Sequence, residues 1–136
     1  MNKITLRPIQ GVREHVKILY DLLLEREDFM NISHKAMPTL AEHTAFVESV
    51  PYFQWLFVKN ETGSYVGSIY LTKQREIGIF IFKQYQGRGY GKAAVIELRK
   101  RVPGKMLANI SPANNKSIKF FESLGAKRIQ NTYELP

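Results

Sequence analysis

The chain has no cysteine. That excludes a disulfide framework, a thiol nucleophile and a cysteine-ligated zinc site. It has no apolar run of about eighteen residues, and its opening MNKITLRPIQ lacks the apolar segment of a signal peptide. Neither a membrane span nor a secretory leader is expected, and a cytoplasmic location is. Proline is sparse, at six of 136 residues, and no repeat, low-complexity segment or Pro/Gly/Ser linker breaks the chain. One domain over residues 1–136 follows, at a size that folds without a covalent or metal staple.

Acidic residues are scarce in one region. Residues 83–128 hold 11 basic and 2 acidic side chains, a net +9, whereas the rest of the chain carries −1 and the whole carries +8. An electropositive segment on a neutral frame favours an acidic partner, whether nucleic acid or a polyphosphate cofactor, although a solvated basic face has the same composition.

Ile4 to Ile9 alternates apolar and polar residues around Pro8 and fits an edge strand. Val12, Val16, Leu19, Leu22 and Leu23 recur at helical spacing through Glu25, and residues 26–38 show no period. Thr39 with Glu42 forms a capping-box signature for a helix running to about Ser49. QWLFVKN, YVGSIYLT and EIGIFIF, joined by ETGS and KQR, predict an antiparallel meander. YGKAAVIELRKR then predicts a helix, KMLANI a strand, SPANNKSIKFFESLG a helix capped by Asn114 or Asn115, and AKRIQNTYEL a last strand. The order β-α-α-β-β-β-α-β-α-β is an α/β or α+β layer of helices on a sheet.

Between the third meander strand and its helix lies KQYQGRGYGK, Lys83 to Lys92, with Gly87, Gly89 and Gly91 in five positions. Glycines let the backbone approach a ligand closely and visit positive φ, and the helix that follows adds its positive end, so phosphate is the natural guest. The loop is not a Walker A motif, because Ala93 follows Lys92 where Ser or Thr is needed; nor is it G-x-G-x-x-G opening a parallel βαβ unit. A simple tight turn remains the alternative.

The neighbours of the loop add a resemblance. Gln86-Gly87-Arg88-Gly89-Tyr90-Gly91 at a strand-to-helix turn, then Asn114, Ser117, Ile118, Phe120, Phe121 and Gly125, is similar to the GNAT family of acyl-coenzyme A-dependent N-acyltransferases. The resemblance implies a mixed central sheet of about six strands, splayed at the fourth and fifth, flanked by about four helices. It implies acetyl-CoA as cofactor. The amides of Gly87, Arg88, Gly89, Tyr90, Gly91 and Lys92, with Gln86, would hold the pyrophosphate. Ile79, Phe80 and Ile81 would meet the pantetheine arm and Asn114 would bond the cofactor near its thiol end, with Ser117 and Phe121 as further cofactor contacts. Nucleic acid is then not needed to explain the charge.

Acyl transfer to an amine needs a base, a polarised carbonyl and a proton for the departing sulfur. Where many members of the family place a proton-donating Tyr, this chain has Phe121; where some place a Glu in the strand after the loop helix, it has Asn109. The remaining catalytic candidates are Glu76, at the head of EIGIFIF, and His34; Glu76 reads equally well as a surface residue beside Arg75, and His43 suits a buried hydrogen bonder as well as a substrate contact. The stretch from Ile32 to Val58 loosely resembles the acceptor region of nucleotide-amino-sugar acetyltransferases, so Phe29, Tyr52, Trp55 and Tyr70 would stack on the acceptor or fill the core, with Asn109 beside them and Lys35 toward a carrier diphosphate. The expectation is acetyl transfer to a small amine by a monomer or homodimer. Acetylation of a protein amine and a non-catalytic coenzyme A-binding or RNA-associated module are the alternatives.

Overall fold

The computed structural model describes residues 3–26 and 37–136. Strand β1 (Ile4–Pro8) is followed by helices α1 (Arg13–Leu24) and α2 (Leu40–Glu48), the meander β2 (Gln54–Asn60), β3 (Tyr65–Leu71) and β4 (Ile77–Ile81), and helices α3 (Tyr90–Arg101) and α4 (Asn115–Ser123). The sheet is antiparallel in the order β1-β2-β3-β4. Pro8 therefore ends an edge strand, where its missing N–H costs no ladder bond.

The caps follow their residue chemistry. The Thr39 hydroxyl accepts from Glu42 N at 3.1 Å while Glu42 Oε1 accepts from Thr39 N at 2.9 Å, a complete capping box. Asn114, not Asn115, caps α4: its Oδ1 accepts from Ser117 N at 3.1 Å. The same helix closes on Gly125 at φ 91°, with Gly125 N bonded to Glu122 O and Ala126 N to Phe121 O, a Schellman ending.

Strand alternation gives the sheet two faces. Leu56, Val58, Ile69, Leu71 and Ile77 meet Ala94, Val95 and Leu98 of α3 in the larger core. On the opposite face Phe57 packs with Val16, Leu19 and Val47 of α1 and α2. A register shift between Val58 and Lys59 turns Val66 toward the α3 core and Tyr65 toward the α1 side. Full burial of each large apolar side chain contributes about 1.5–3 kcal/mol, and the smaller core is anchored on β2 and β3 through Trp55, Phe57 and Tyr65.

The α/β class holds, but the count of six strands does not: among the described residues there are four. KMLANI makes one parallel bridge, Glu76 to Leu107, and then parts from β4. Arg75, at φ 67°, fixes that meeting point. Its guanidinium donates to Lys105 O at 2.6 Å and Pro103 O at 3.0 Å, while Leu107 N donates to Arg75 O at 2.8 Å. AKRIQNTYEL has the composition of a strand but joins no ladder, and Ile129, Tyr133 and Leu135 are exposed. Strand propensity needs a paired edge to be realised, and here the neighbouring segment has already left the sheet.

Candidate active site

Two features converge on β4, a slot along its free edge and a pocket on its α1–α2 face. Ile77 N donates to Leu107 O at 2.7 Å, which sets the alternation of the strand. Ile79 and Ile81, two and four residues on, aim their backbone groups at that same edge, where the chain after Leu107 forms no further ladder. This one-bridge separation is the expected splay between the fourth strand and the next segment. Phe80 pairs instead toward Ser68 of β3, so it offers its ring and not its backbone.

The slot leads to the glycine loop. Gly87 and Gly89 adopt φ 77° and 85°, and Gly89 is the N-cap of α3 with no side chain capping the first turn. A Cβ placed on Gly87 would meet nothing within 4 Å, so the loop surface is open. Gly91 has a different reason: a Cβ there would come within 3.3 Å of Phe120, so it permits α3 to approach α4. Uncapped amides at a helix N-terminus, open space above them and the basic side chains of Lys83, Arg88 and Lys92 around them fit a pyrophosphate. Tyr90 is buried and packs in the α3 core, leaving only its backbone to the loop.

Gln86 spans the loop. Its Nε2 donates to Ile81 O at 2.9 Å and its Oε1 accepts from Lys116 Nζ at 2.6 Å, tying the end of β4 to α4. Asn114 is buried, Ser117 supplies the amide that its cap receives, and Phe121 packs at the edge of the α3 core against Phe120.

At the other end of β4, Glu76 and Asn109 come together: Asn109 Nδ2 donates to Glu76 Oε2 at 2.8 Å. Arg75 is committed to backbone carbonyls, so the carboxylate is held by an amide and not neutralised by its sequence neighbour. Two positions that sequence treats as unrelated candidates are one unit.

The half-open pocket has a volume of about 260 Å³ and is lined by His43, Tyr52, Trp55, Ser68, Tyr70 and Phe80, among others. Tyr52 and Tyr70 stack at 4.0 Å and 5°. Tyr70 fits because residue 78 is glycine: a Cβ there would collide with its ring. Burial drives the pKa of both phenols above the usual tyrosine value, and for Tyr70 the nearby Glu76 carboxylate adds to the rise against the lowering effect of Arg26. Both are therefore neutral hydrogen-bonding groups near neutral pH. His43 is buried with its ring 5.4 Å from Tyr20. Trp55 belongs to both alternatives, since it packs against the smaller core and lines the pocket.

His34, Phe29 and Lys35 lie outside the described residues. Sequence reasoning missed Arg26. Its guanidinium carbon lies 4.0 Å from the centroid of the Phe80 ring, on the pocket wall, although it follows the last turn of α1 and carries no periodic signal. A lone Arg at the end of an amphipathic helix was the only sign available. Among the described residues no group of His, Cys, Asp and Glu can hold a metal, and no helix is long and apolar enough to cross a membrane.

A family model of the acetyltransferase (GNAT) domain matches residues 3–127. A search of the curated proteins finds no match. Among solved structures, an acetyltransferase from Thermus thermophilus superposes with a TM-score of 0.75 at 16% identity, over 96% of this chain and 92% of that one. Spermidine N-acetyltransferase from Vibrio cholerae, in complex with CoA and spermine, gives 0.74 at 16% identity over 90% and 79%. A phosphinothricin acetyltransferase from Sinorhizobium meliloti, in complex with AcCoA, gives 0.66 at 23% identity over 91% and 74%. The loop, the parted strand and the family match over nearly the whole sequence agree, and the chain belongs to the GNAT family of acetyltransferases.

Proposed function

We propose that this acetyltransferase transfers acetyl from acetyl-CoA to the primary amine of a small cytoplasmic molecule by direct attack, a nucleotide-linked amino sugar being the first acceptor class. Acetyl transfer comes with the family. The observation that carries the rest is the placement of Glu76, held by Asn109 at the head of β4 where the slot opens, two residues before Gly78, the β4 partner of Tyr70 of the pocket.

Acetyl-CoA, when bound, supplies a thioester carbonyl that an amine can attack. The amides of Gly87 to Lys92 hold the pyrophosphate, and Arg88, Lys92, Lys116 or Lys119, on the loop and the helix beside it, meets the remaining phosphate. The Ile79 N–H, on the open edge of β4, polarises the acyl oxygen as charge develops. Glu76 takes the proton from the incoming amine, directly or through one water, and Asn109 keeps its carboxylate oriented. Phe121 has no proton to give, so solvent in the open slot protonates the sulfur. With no cysteine in the chain, no thioester-linked enzyme is formed on the way.

The half-open pocket suits a ring-sized amine, with Tyr52, Trp55 and Tyr70 stacking on it and the neutral phenols bonding its hydroxyls. An acceptor panel tests this reading. A nucleotide-linked amino sugar and free hexosamines should be acetylated with higher kcat/KM than peptides bearing a free N-terminus or lysine. Preference for the peptides contradicts it.

A further inference from the structure

Among the described residues, the acceptor pocket contains a guanidinium that takes part in no ion pair. Arg26 lies over Phe80 at 4.0 Å, and its buried Nε meets no hydrogen-bond partner among them. Desolvation lowers its pKa, with only the Tyr70 and Tyr52 phenols opposing. Two neighbouring carboxylates, Glu25 in sequence and Glu42 on the pocket wall, are engaged elsewhere. Glu25 Oε1 accepts from Lys83 N at 2.8 Å, and Glu42 Oε1 accepts from Thr39 N in the α2 cap at 2.9 Å. Neither of the ion pairs among the described residues includes Arg26.

A partly desolvated guanidinium facing aromatic rings is costly, and the cost is offset when an anion binds it. Arginine is suited to that task, since its planar fork meets carboxylate or phosphate through two parallel N–H bonds while its face stacks on an aromatic ring. Phe80 occupies that face.

We infer that Arg26 is a specificity residue which selects acceptor amines bearing an acidic group, a carboxylate or a phosphate, and disfavours polycationic amines. The inference rests on the proposed placement of the acceptor in this pocket. A neutral amine of the same shape offers the guanidinium no anion to pair with. A polyamine brings further positive charge up to a guanidinium that has no ion-pair partner among the described residues.

The experiment compares matched acceptors on the full chain. One arm pairs an α-amino acid with its carboxamide, a second pairs a hexosamine phosphate with the free hexosamine, and spermidine is the polycation. The wild type should favour the acidic member of at least one pair by about tenfold or more in kcat/KM, the arm that does so naming the acid. Arg26→Gln should bring that ratio close to one by raising KM for the acidic member alone, and Arg26→Lys should restore part of it. A wild-type ratio near one, an equal loss on both members in Arg26→Gln, or preference for spermidine overturns the inference. If no amine is acetylated, the proposed function fails, and calorimetric binding of the same probes to the coenzyme A-loaded protein decides Arg26: tighter binding of the acidic member, lost in Arg26→Gln, supports it, and equal binding overturns it.

Discussion

Asn109 donates a 2.8 Å hydrogen bond to Glu76 across the point where β4 and the following segment part. The amide orients the carboxylate without adding charge, so changing either residue tests the role of the other. Asn109→Asp would set two carboxylates side by side, and like charges raise the pKa of the pair. The rising limb of the kcat/KM–pH profile should move to higher pH in Asn109→Asp. In Glu76→Gln it should flatten, with a loss of about 10²–10⁴ in rate. A profile unchanged in both variants removes Glu76 as the base.

Gly89 and Gly63 share a left-handed backbone, at φ 85° and 82°, but only Gly89 lies at the phosphate loop. Alanine at either position should cost about 1–2 kcal/mol of stability, read from thermal or urea unfolding. Only Gly89→Ala should also weaken coenzyme A binding, by about tenfold or more in titration calorimetry. Equal binding in the two variants would move the pyrophosphate elsewhere.

Gly78 makes room for Tyr70. Gly78→Ala should displace that ring, break its 4.0 Å stack on Tyr52 and raise acceptor KM, with a stability cost of about 1–3 kcal/mol from overpacking. In a Tyr70→Leu background the same substitution should cost less. An equal cost in both backgrounds shows that the two residues are not coupled.

The buried phenols make an alkaline prediction. Their folded pKa values lie above the unfolded value of 10.0, so above about pH 10 the unfolded chain gives up protons that the folded chain retains. Stability present below that pH should therefore fall as pH rises beyond it. Tyr52→Phe should make the fall shallower in urea unfolding at about pH 9 to 11, and an unchanged slope would place Tyr52 in contact with solvent.

The elements that repeat or cap were legible in the sequence. Thr39 with Glu42, the three meander strands and the glycine turn each carry a local signal, and each formed where that signal lies. Strands that depend on a distant partner were less legible: KMLANI reduced to one bridge at Leu107, and AKRIQNTYEL to none, because alternation states which faces a segment has but not whether an edge is waiting. In the site, Glu76 and Asn109 were each visible against a family pattern, yet their contact spans 33 positions and only the sheet brings them together. Arg26 stayed hidden for the same reason, since its meaning comes from Phe80 on another element.

Acetyl transfer itself is tested most directly by mixing the protein with acetyl-CoA, with and without an amine, and following free thiol, acetylated amine and protein mass together. With a productive amine, thiol and acetylated amine should appear one for one, and without it neither thiol nor acetylated protein should accumulate. Thiol released equally in the absence of any amine, or a protein that gains an acetyl group before the amine is added, contradicts direct transfer at this site.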